Sequence, residues 1–200
     1  MILPHSFFHN KTLRVARDLI GKTLVRKLSG KIIRHTITEV EAYVGPHDLA
    51  CHSSRGKTTR NAPMFEGPGT IYVYFTYGMH WMLNIVTEEK DFPSAILIRG
   101  TDQISGPARL TKALKIDKSL NGKKLGRESG LWIEDKNPSL QAVSYKLIRT
   151  PRIGVTYAKE WAEKPYRFIL VSDDENYPNL FPKPQIRPAL KLYKIRKQKM

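Results

Sequence analysis

Apolar residues recur at helical spacing through Thr12-Leu13-Arg14-Val15-Ala16-Arg17-Asp18-Leu19-Ile20 and stop at Gly21, so the first predicted element is a short helix with a glycine cap. The period then changes. Lys22 to Leu28 and Lys31 to Val40 are rich in β-branched residues and meet at Ser29-Gly30, which predicts two paired strands. A period of two along the second strand and its continuation puts Thr38, Val40 and Ala42 on one side and Glu39, Glu41 and Tyr43 on the other. Two carboxylates thus share a face with a tyrosine. Gly45-Pro46-His47-Asp48 ends the strand, and Leu49 to Asn61, with its Ser, Thr, Gly and Arg residues, predicts a basic loop carrying His52. Further on, Ile71-Tyr72-Val73-Tyr74-Phe75 and Trp81-Met82-Leu83-Asn84-Ile85-Val86 are strand-like runs on either side of Thr76-Tyr77-Gly78-Met79-His80, where Gly78 suits a turn with positive φ. This predicts a hairpin with Tyr77 at or near its tip. A strand over Ser94 to Arg99 and a helix over Gly106 to Leu114, entered through Pro107, follow.

Strand and helix signals alternate irregularly, which suits an α+β fold better than a doubly wound sheet. The expected form is a single domain with a curved, mainly antiparallel sheet, surrounding helices and a protruding β-hairpin. No internal repeat or low-complexity segment is visible. Beyond Asp173 the chain becomes Pro-rich and then basic, through Lys183, Arg187, Lys191, Lys194, Arg196, Lys197 and Lys199. The expected division is a domain over residues 1–182 and a loosely ordered basic tail over 183–200, whose functional reading is sequence-independent attraction to phosphates.

Charge narrows the partner class. The 200 residues, 40% of them hydrophobic, are enough for one sizeable core, and 34 Lys plus Arg stand against 18 Asp plus Glu, a formal net charge of +16. An excess of this size points to an anionic polymer, nucleic acid before membrane. There is no apolar run near the ~20 residues a spanning helix needs, and the start Met1-Ile2-Leu3-Pro4-His5 lacks the charged and apolar regions of a signal peptide. The expectation is a soluble intracellular protein, cytoplasmic and nucleoid-associated if bacterial, with no membrane partner. The single Cys51 rules out an internal disulfide and a cysteine-cluster metal site; although His52 adjoins it, a small buried residue is the expected role.

Against that background, a carboxylate at Glu41, a histidine at His52 and the tyrosines between Tyr72 and Tyr77 suggest chemistry on a nucleobase. Aromatic faces stack on bases, Lys and Arg neutralise phosphates, and one acid can activate a water for attack on a sugar carbon. Glu39 shares the face of Glu41 and is its rival for that role. A metal site from His47, His52 and Asp48 has no further ligand at recognisable spacing.

The residues as they stand go further. Glu41-Ala42-Tyr43-Val44-Gly45-Pro46, Asp48, Ala50, His52, Thr59-Arg60-Asn61, Met64-Phe65, Gly69, Tyr72-Val73-Tyr74, Tyr77-Gly78-Met79-His80-Trp81 and Asn84 closely resemble the alkyladenine type of 3-methyladenine DNA glycosylase. The resemblance resumes at Ser105-Gly106-Pro107, Lys112-Ala113-Leu114, Arg152-Ile153-Gly154-Val155, Glu160-Trp161-Ala162 and Lys164-Pro165-Tyr166-Arg167-Phe168, and so spans nearly the whole chain to about Phe168.

What the resemblance implies is a monofunctional base-excision enzyme that binds double-stranded DNA as a monomer, extrudes a damaged purine and hydrolyses its N-glycosidic bond with water. It implies no cofactor, no metal and no obligatory protein partner. By position, Glu41 resembles the general base that deprotonates the attacking water, with Arg99 and the backbone carbonyl at or near Val155 positioning that water. Tyr43, His52 and Tyr74 resemble the wall against which the flipped base stacks, and Asn84 the filter against the 2-amino group of guanine. Tyr77 resembles the residue inserted into the vacated stack, with Met79 against the adjacent stack. Two departures stand out. Only Gly100-Thr101-Asp102-Gln103-Ile104-Ser105 separate Arg99 from Gly106, where relatives commonly carry a longer segment with a helix, and the basic end has no clear counterpart.

Rival readings are a non-catalytic RNA-binding domain and a metal-dependent nuclease built on Glu39, Glu41 and Asp48. A bifunctional lyase would need an amine nucleophile, and no lysine sits in the motifs around Glu41 and the tyrosines.

Overall fold

In the computed structural model, residues 1–135, 145–173 and 193–194 are described. Two short helices, α1 (His5–Phe8) and α2 (Thr12–Leu19), precede the strands β1 (Thr23–Leu28) and β2 (Lys31–Tyr43). Buried Thr12, Val15, Ala16 and Leu19 recur at helical spacing in α2, whose apolar stripe faces the core. The turn between β1 and β2 places Ser29 and Gly30 at φ 47 and 80, the left-handed pair that matches strand twist in a tight hairpin.

The remaining strands are β3 (Ile71–Thr76), β4 (His80–Thr87), β5 (Ser94–Thr101), β6 (Leu131–Glu134), β7 (Tyr145–Thr150), β8 (Arg167–Ser172) and β9 (Tyr193–Lys194), with the helix α3 (Pro107–Ala113) after β5. Among the described residues they form one antiparallel sheet in the order β3-β4-β5-β2-β8-β7-β9, and β1 branches off β2 to carry β6. The architecture is α+β, a curled antiparallel sheet with few helices. The basic loop 49–61 contains a short 3-10 turn over His52–Arg55. Strands β6, β7 and β8 have no counterpart in the reading of the sequence pattern. Of the basic segment, Tyr193 and Lys194 pair with β7 and the rest lies outside the described residues.

β2 holds the fold together because its thirteen residues serve two neighbourhoods. Its first half pairs with β1 only, and its second half lies between β5 and β8. A strand flanked on both sides exposes little, and residues 35–42 are all buried. Ile37, Val40 and Ala42 enter the main core with Leu19, Leu24, Ile71, Val73, Leu83, Ile96, Ile98 and Phe168. The other face of the strand is also buried, so its carboxylates need partners inside the protein.

Two register shifts interrupt the β2–β5 pairing. Ile37 lies opposite Thr101, Glu39 opposite Gly100 and Val40 opposite Ile98, which leaves Thr38 and Arg99 as the extra residues. A bulge re-aims a side chain without ending the strand. Gly100 allows the close approach, since a Cβ there would lie 3.3 Å from that of Glu39. The short segment after β5 is a tight turn: Thr101 N–H donates to the Ile104 carbonyl, and Asp102 N–H to that of Thr36. No helix among the described residues is long and apolar enough to cross a membrane.

Candidate active site

One lateral row of residues across the sheet sets the floor of a cavity. Tyr72 pairs with Asn84, Asn84 with Leu97, Leu97 with Glu41 and Glu41 with Arg167, crossing β3, β4, β5, β2 and β8 in turn. Because side chains alternate along each strand, Tyr72 and Tyr74 share the face opposite Ile71 and Val73, which enter the core. The cavity above this face has a volume of about 390 Å³, a size suited to a small organic group. Its lining comes from the strands (Tyr43, Tyr72, Tyr74, Asn84, Arg99), from the loop carrying Cys51 and His52, and from Ile153 to Val155.

Glu41 lies beneath the lining. It is wholly buried, at 0% exposure, and does not border the cavity, whereas its three partners Tyr43, Arg99 and Ile153 all do. Its Oε1 accepts the Ile153 N–H at 2.7 Å and lies 3.4 Å from Arg99 Nε, while Oε2 accepts the Tyr43 hydroxyl at 2.9 Å. Burial, and then the Glu41 charge, hold the Tyr43 hydroxyl well above its ordinary pKa, so it remains a donor. Burial opposes the charge on Arg99, but the Glu41 and Glu39 carboxylates outweigh it and raise its pKa. The result is a carboxylate held in place on both oxygens.

Glu39 occupies a different setting. Its Oε1 takes Arg99 Nε at 2.8 Å and Arg167 Nε at 2.7 Å, and of these partners Arg99 borders the cavity and Arg167 does not. Asp48, also wholly buried, accepts both Arg152 nitrogens, Nη1 through Oδ2 and Nη2 through Oδ1, and Arg152 Nη1 also reaches the Ala42 carbonyl. Three buried carboxylates are thus matched by three buried guanidiniums, which is what makes their burial tolerable. Asp48, weighed with His47 and His52 as a metal ligand, is instead the partner of Arg152.

The aromatic wall is continuous. His52 and Tyr74 meet edge to face with centroids 4.5 Å apart, Tyr72 and Tyr74 are 5.4 Å apart, and His52 Nδ1 shares a 2.9 Å hydrogen bond with the Tyr72 hydroxyl. Burial, with the Arg60 charge nearby, lowers the His52 pKa to about 4, so the ring is neutral at neutral pH. Burial raises the Tyr74 pKa to about 12 and moves that of Tyr72 in the same direction. Asn84, buried in the floor, donates from Nδ2 to the Tyr72 carbonyl at 3.2 Å, which accounts for an asparagine within a strand. Val155 borders the cavity and its carbonyl accepts the Ala158 N–H at 2.9 Å.

At the mouth stands the β3–β4 hairpin. Thr76 pairs with His80, and Tyr77 and Gly78 both adopt positive φ, 52 and 66. Positive φ is ordinary for Gly78 and uncommon for a tyrosine, so a ring is displayed here at some conformational cost. Tyr77 is 82% exposed and still borders the cavity; Met79 is 66% exposed beside it and does not.

Four contributors were given no role in the pocket expected from sequence. Tyr72 was discoverable, since it alternates with Tyr74. The Asp48–Arg152 pair joins positions 104 apart and leaves no local pattern. Ile153 contributes a backbone N–H, which any residue but proline carries. Tyr157, 63% exposed at the mouth, lies in a segment of merged 3-10 turns with no periodicity.

Comparison with known proteins identifies the family. The chain matches the family described as methylpurine-DNA glycosylase over residues 6–105 and 101–174. A protein of Methanocella arvoryzae is 42% identical over 197 residues, covering 88% of this chain and 94% of the relative. One of Legionella pneumophila strain Corby is 44% identical over 177 residues, covering 84% and 93%, and one of Natranaerobius thermophilus is 35% identical over 192, covering 85% and 96%. All three bear the name "Putative 3-methyladenine DNA glycosylase". With the match running from residue 6 to residue 174, the chain belongs to the methylpurine-DNA glycosylase family.

Proposed function

We propose that this protein is a 3-methyladenine DNA glycosylase that flips a damaged purine out of double-stranded DNA and hydrolyses its N-glycosidic bond with water, leaving an abasic site. The observation that carries this reading is the position of Glu41, a buried carboxylate immobilised behind an aromatic cavity whose mouth holds an exposed tyrosine on a hairpin.

In this reading the extruded base enters among Tyr43, His52 and Tyr74, and Tyr77 fills the gap it leaves, offsetting part of the unstacking cost of a few kcal/mol. Met79 rests on the neighbouring stack. Asn84 crowds a 2-amino group and so disfavours ordinary guanine. The attacking water sits at the seam between Arg99, Ile153 and the carbonyl of Val155, where Glu41 accepts its proton. Its oxygen bonds to C1′ as the C1′–N bond breaks and the electron pair leaves with the base. A lesion that is already cationic departs as a neutral base, whereas a neutral lesion must also gain a proton. Water is a poor nucleophile, and a positioned base of this kind contributes roughly 10² to 10⁴ in rate.

The net charge of +16 supports DNA as the polymer, since phosphate neutralisation is the sequence-independent part of such binding. The proposal includes action as a monomer, without metal, inside the cell. The test is release of free base from lesion-bearing duplexes in chelator. The expected product is an intact strand with an abasic site that breaks only on alkali; direct strand cleavage, or loss of activity in chelator, would support the nuclease instead.

A further inference from the structure

Two of the tyrosines that line the cavity, Tyr43 and Tyr74, carry a guanidinium. Arg152 lies over the Tyr43 ring at 4.8 Å from its centroid, and Arg60 over the Tyr74 ring at 5.1 Å. Both rings border the cavity and neither guanidinium does. A cation on one face of an aromatic ring draws its π density and repels a second cation on the other face, so each arginine weakens the ring's attraction for a positively charged base.

The two arginines differ in how far their charge is cancelled. Arg152 is buried and paired bidentately with Asp48, so a base in the cavity meets a near-neutral pair behind Tyr43. Arg60 is exposed and rests on Tyr74, with Nη2 donating to the Phe75 carbonyl at 3.3 Å; no carboxylate among the described residues pairs with it. Its field also reaches the other groups of the wall. It lowers the pKa of both His52 and Tyr72, although burial is the larger influence on each and raises that of Tyr72.

We propose that Arg60 is a specificity-determining residue that acts through Tyr74, setting the balance between cationic and neutral damaged purines by placing a positive charge behind the stacking face. The proposal rests on the glycosylase reading above and names what that site discriminates. Purines alkylated at N3 or N7 carry a positive charge in the nucleoside, whereas deaminated or etheno-bridged adenine does not. With Arg60 in place the wall does not reward the charge of the former, and their faster departure comes from the weaker bond to sugar. Removing Arg60 restores an electron-rich face to Tyr74 and favours the cationic base at the binding step.

The test compares 3-methyladenine, which is cationic in the nucleoside and like hypoxanthine lacks a 2-amino group for Asn84 to crowd, with hypoxanthine in otherwise identical duplexes, measuring single-turnover rate and half-saturating enzyme concentration for the wild type, Arg60→Gln and Arg60→Lys. Arg60→Gln should raise the cationic-to-neutral ratio of efficiencies by about five- to tenfold, chiefly through half-saturation, and Arg60→Lys should return most of the way to wild type. A loss of the same factor on both lesions, with weaker binding to undamaged duplex, would make Arg60 a phosphate contact and overturn the proposal, as would an unchanged ratio. Failure of the glycosylase reading looks different: the wild type would release no base from any duplex. Thermal melting of the free variants guards against a folding defect, which an exposed side chain should not cause.

Discussion

The Tyr43 hydroxyl donates to Glu41 Oε2 at 2.9 Å, from two residues along the same strand and the same face. Tyr43 therefore has two duties if Glu41 is the base. Its ring walls the cavity, and its hydroxyl fixes the carboxylate that lies beneath.

Tyr43→Phe separates those duties. The ring remains, so binding to lesion DNA should hold within a factor of about two, while the released Glu41 Oε2 is free to turn and excision should slow by roughly tenfold, the worth of about one hydrogen bond. Single-turnover rates beside a binding isotherm decide it. Equal losses in binding and rate would mean the hydroxyl contacts DNA rather than orienting Glu41.

Glu41 and Glu39 share a face and both approach Arg99, but their other partners differ, Tyr43 and Ile153 for Glu41 and Arg167 for Glu39. Glu41→Gln keeps the shape but cannot take the proton, so excision should fall by at least ~10² with lesion binding largely retained. Glu39→Gln should instead act on stability, because it weakens the acceptor for both Arg99 and Arg167. Urea unfolding and single-turnover excision on both variants separate the roles. If Glu39→Gln abolishes excision in a stably folded protein while Glu41→Gln does not, the assignment is reversed.

The buried Asp48–Arg152 pair ties the loop after β2 to the segment after β7. Losing one partner leaves the other charge buried alone, so Arg152→Met and Asp48→Asn should each destabilise by about 3–5 kcal/mol, and the double variant by less than their sum. Arg152→Lys should not rescue, since an ammonium cannot serve both Asp48 oxygens and the Ala42 carbonyl with the same geometry. Denaturant midpoints at constant slope are the measurement.

How far the sequence revealed this arrangement depends on the range of each signal. The β1–β2 hairpin and the β3–β4 hairpin were legible because turn residues and alternation are local, and α2 because its apolar stripe recurs within eight residues. The shared face of Glu39 and Glu41 followed from strand period alone. The bulge that frees Arg99 was not legible, since it arises from how β2 and β5 register against each other and neither strand announces it. β7 and β8 pair across an intervening stretch of 3-10 turns rather than a tight turn, so no punctuation marks them as partners. Nor does any pattern reveal that Glu41 lies under the lining instead of in it; that depends on Tyr43 two residues away together with Arg99 and Ile153 from two distant parts of the chain.

His52 supplies a pH dependence. Its pKa falls to about 4 in the folded state against 6.5 unfolded, burial being the main cause and Arg60 the second, so folding favours the neutral ring. Between those values the unfolded chain binds more protons, and stability rises with pH. The contribution should be fully present above about pH 6.5 and disappear as pH falls towards 4, on the order of 3 kcal/mol in all. Unfolding free energies across this window should flatten in His52→Gln relative to wild type. Parallel curves for the two proteins would show that other groups carry the acid sensitivity.

Tyr77 offers the sharpest separation of function from fold. With 82% of its surface exposed and φ at 52, the side chain contributes little to packing and sits in a backbone conformation that tyrosine adopts at some cost. If the ring fills the vacated stack, Tyr77→Ala should lower the flipped population by one to two orders of magnitude, because unstacking still costs a few kcal/mol while the compensating contact is lost. Melting of the free protein should hardly move. Tyr77→Gly sharpens the argument, since glycine accepts positive φ without strain: its melting temperature should be no lower than that of Tyr77→Ala, with flipping equally impaired. Tyr77→Phe and Tyr77→Trp should keep most of the function, as the role needs a flat apolar surface more than a hydroxyl. Flipping can be followed with the fluorescent base ethenoadenine if the protein binds it, or otherwise with 2-aminopurine placed beside the lesion. A variant that melts far lower yet flips normally would mean that the ring is needed by the hairpin rather than by DNA, and the wedge would have to be sought at Met79 or Tyr157.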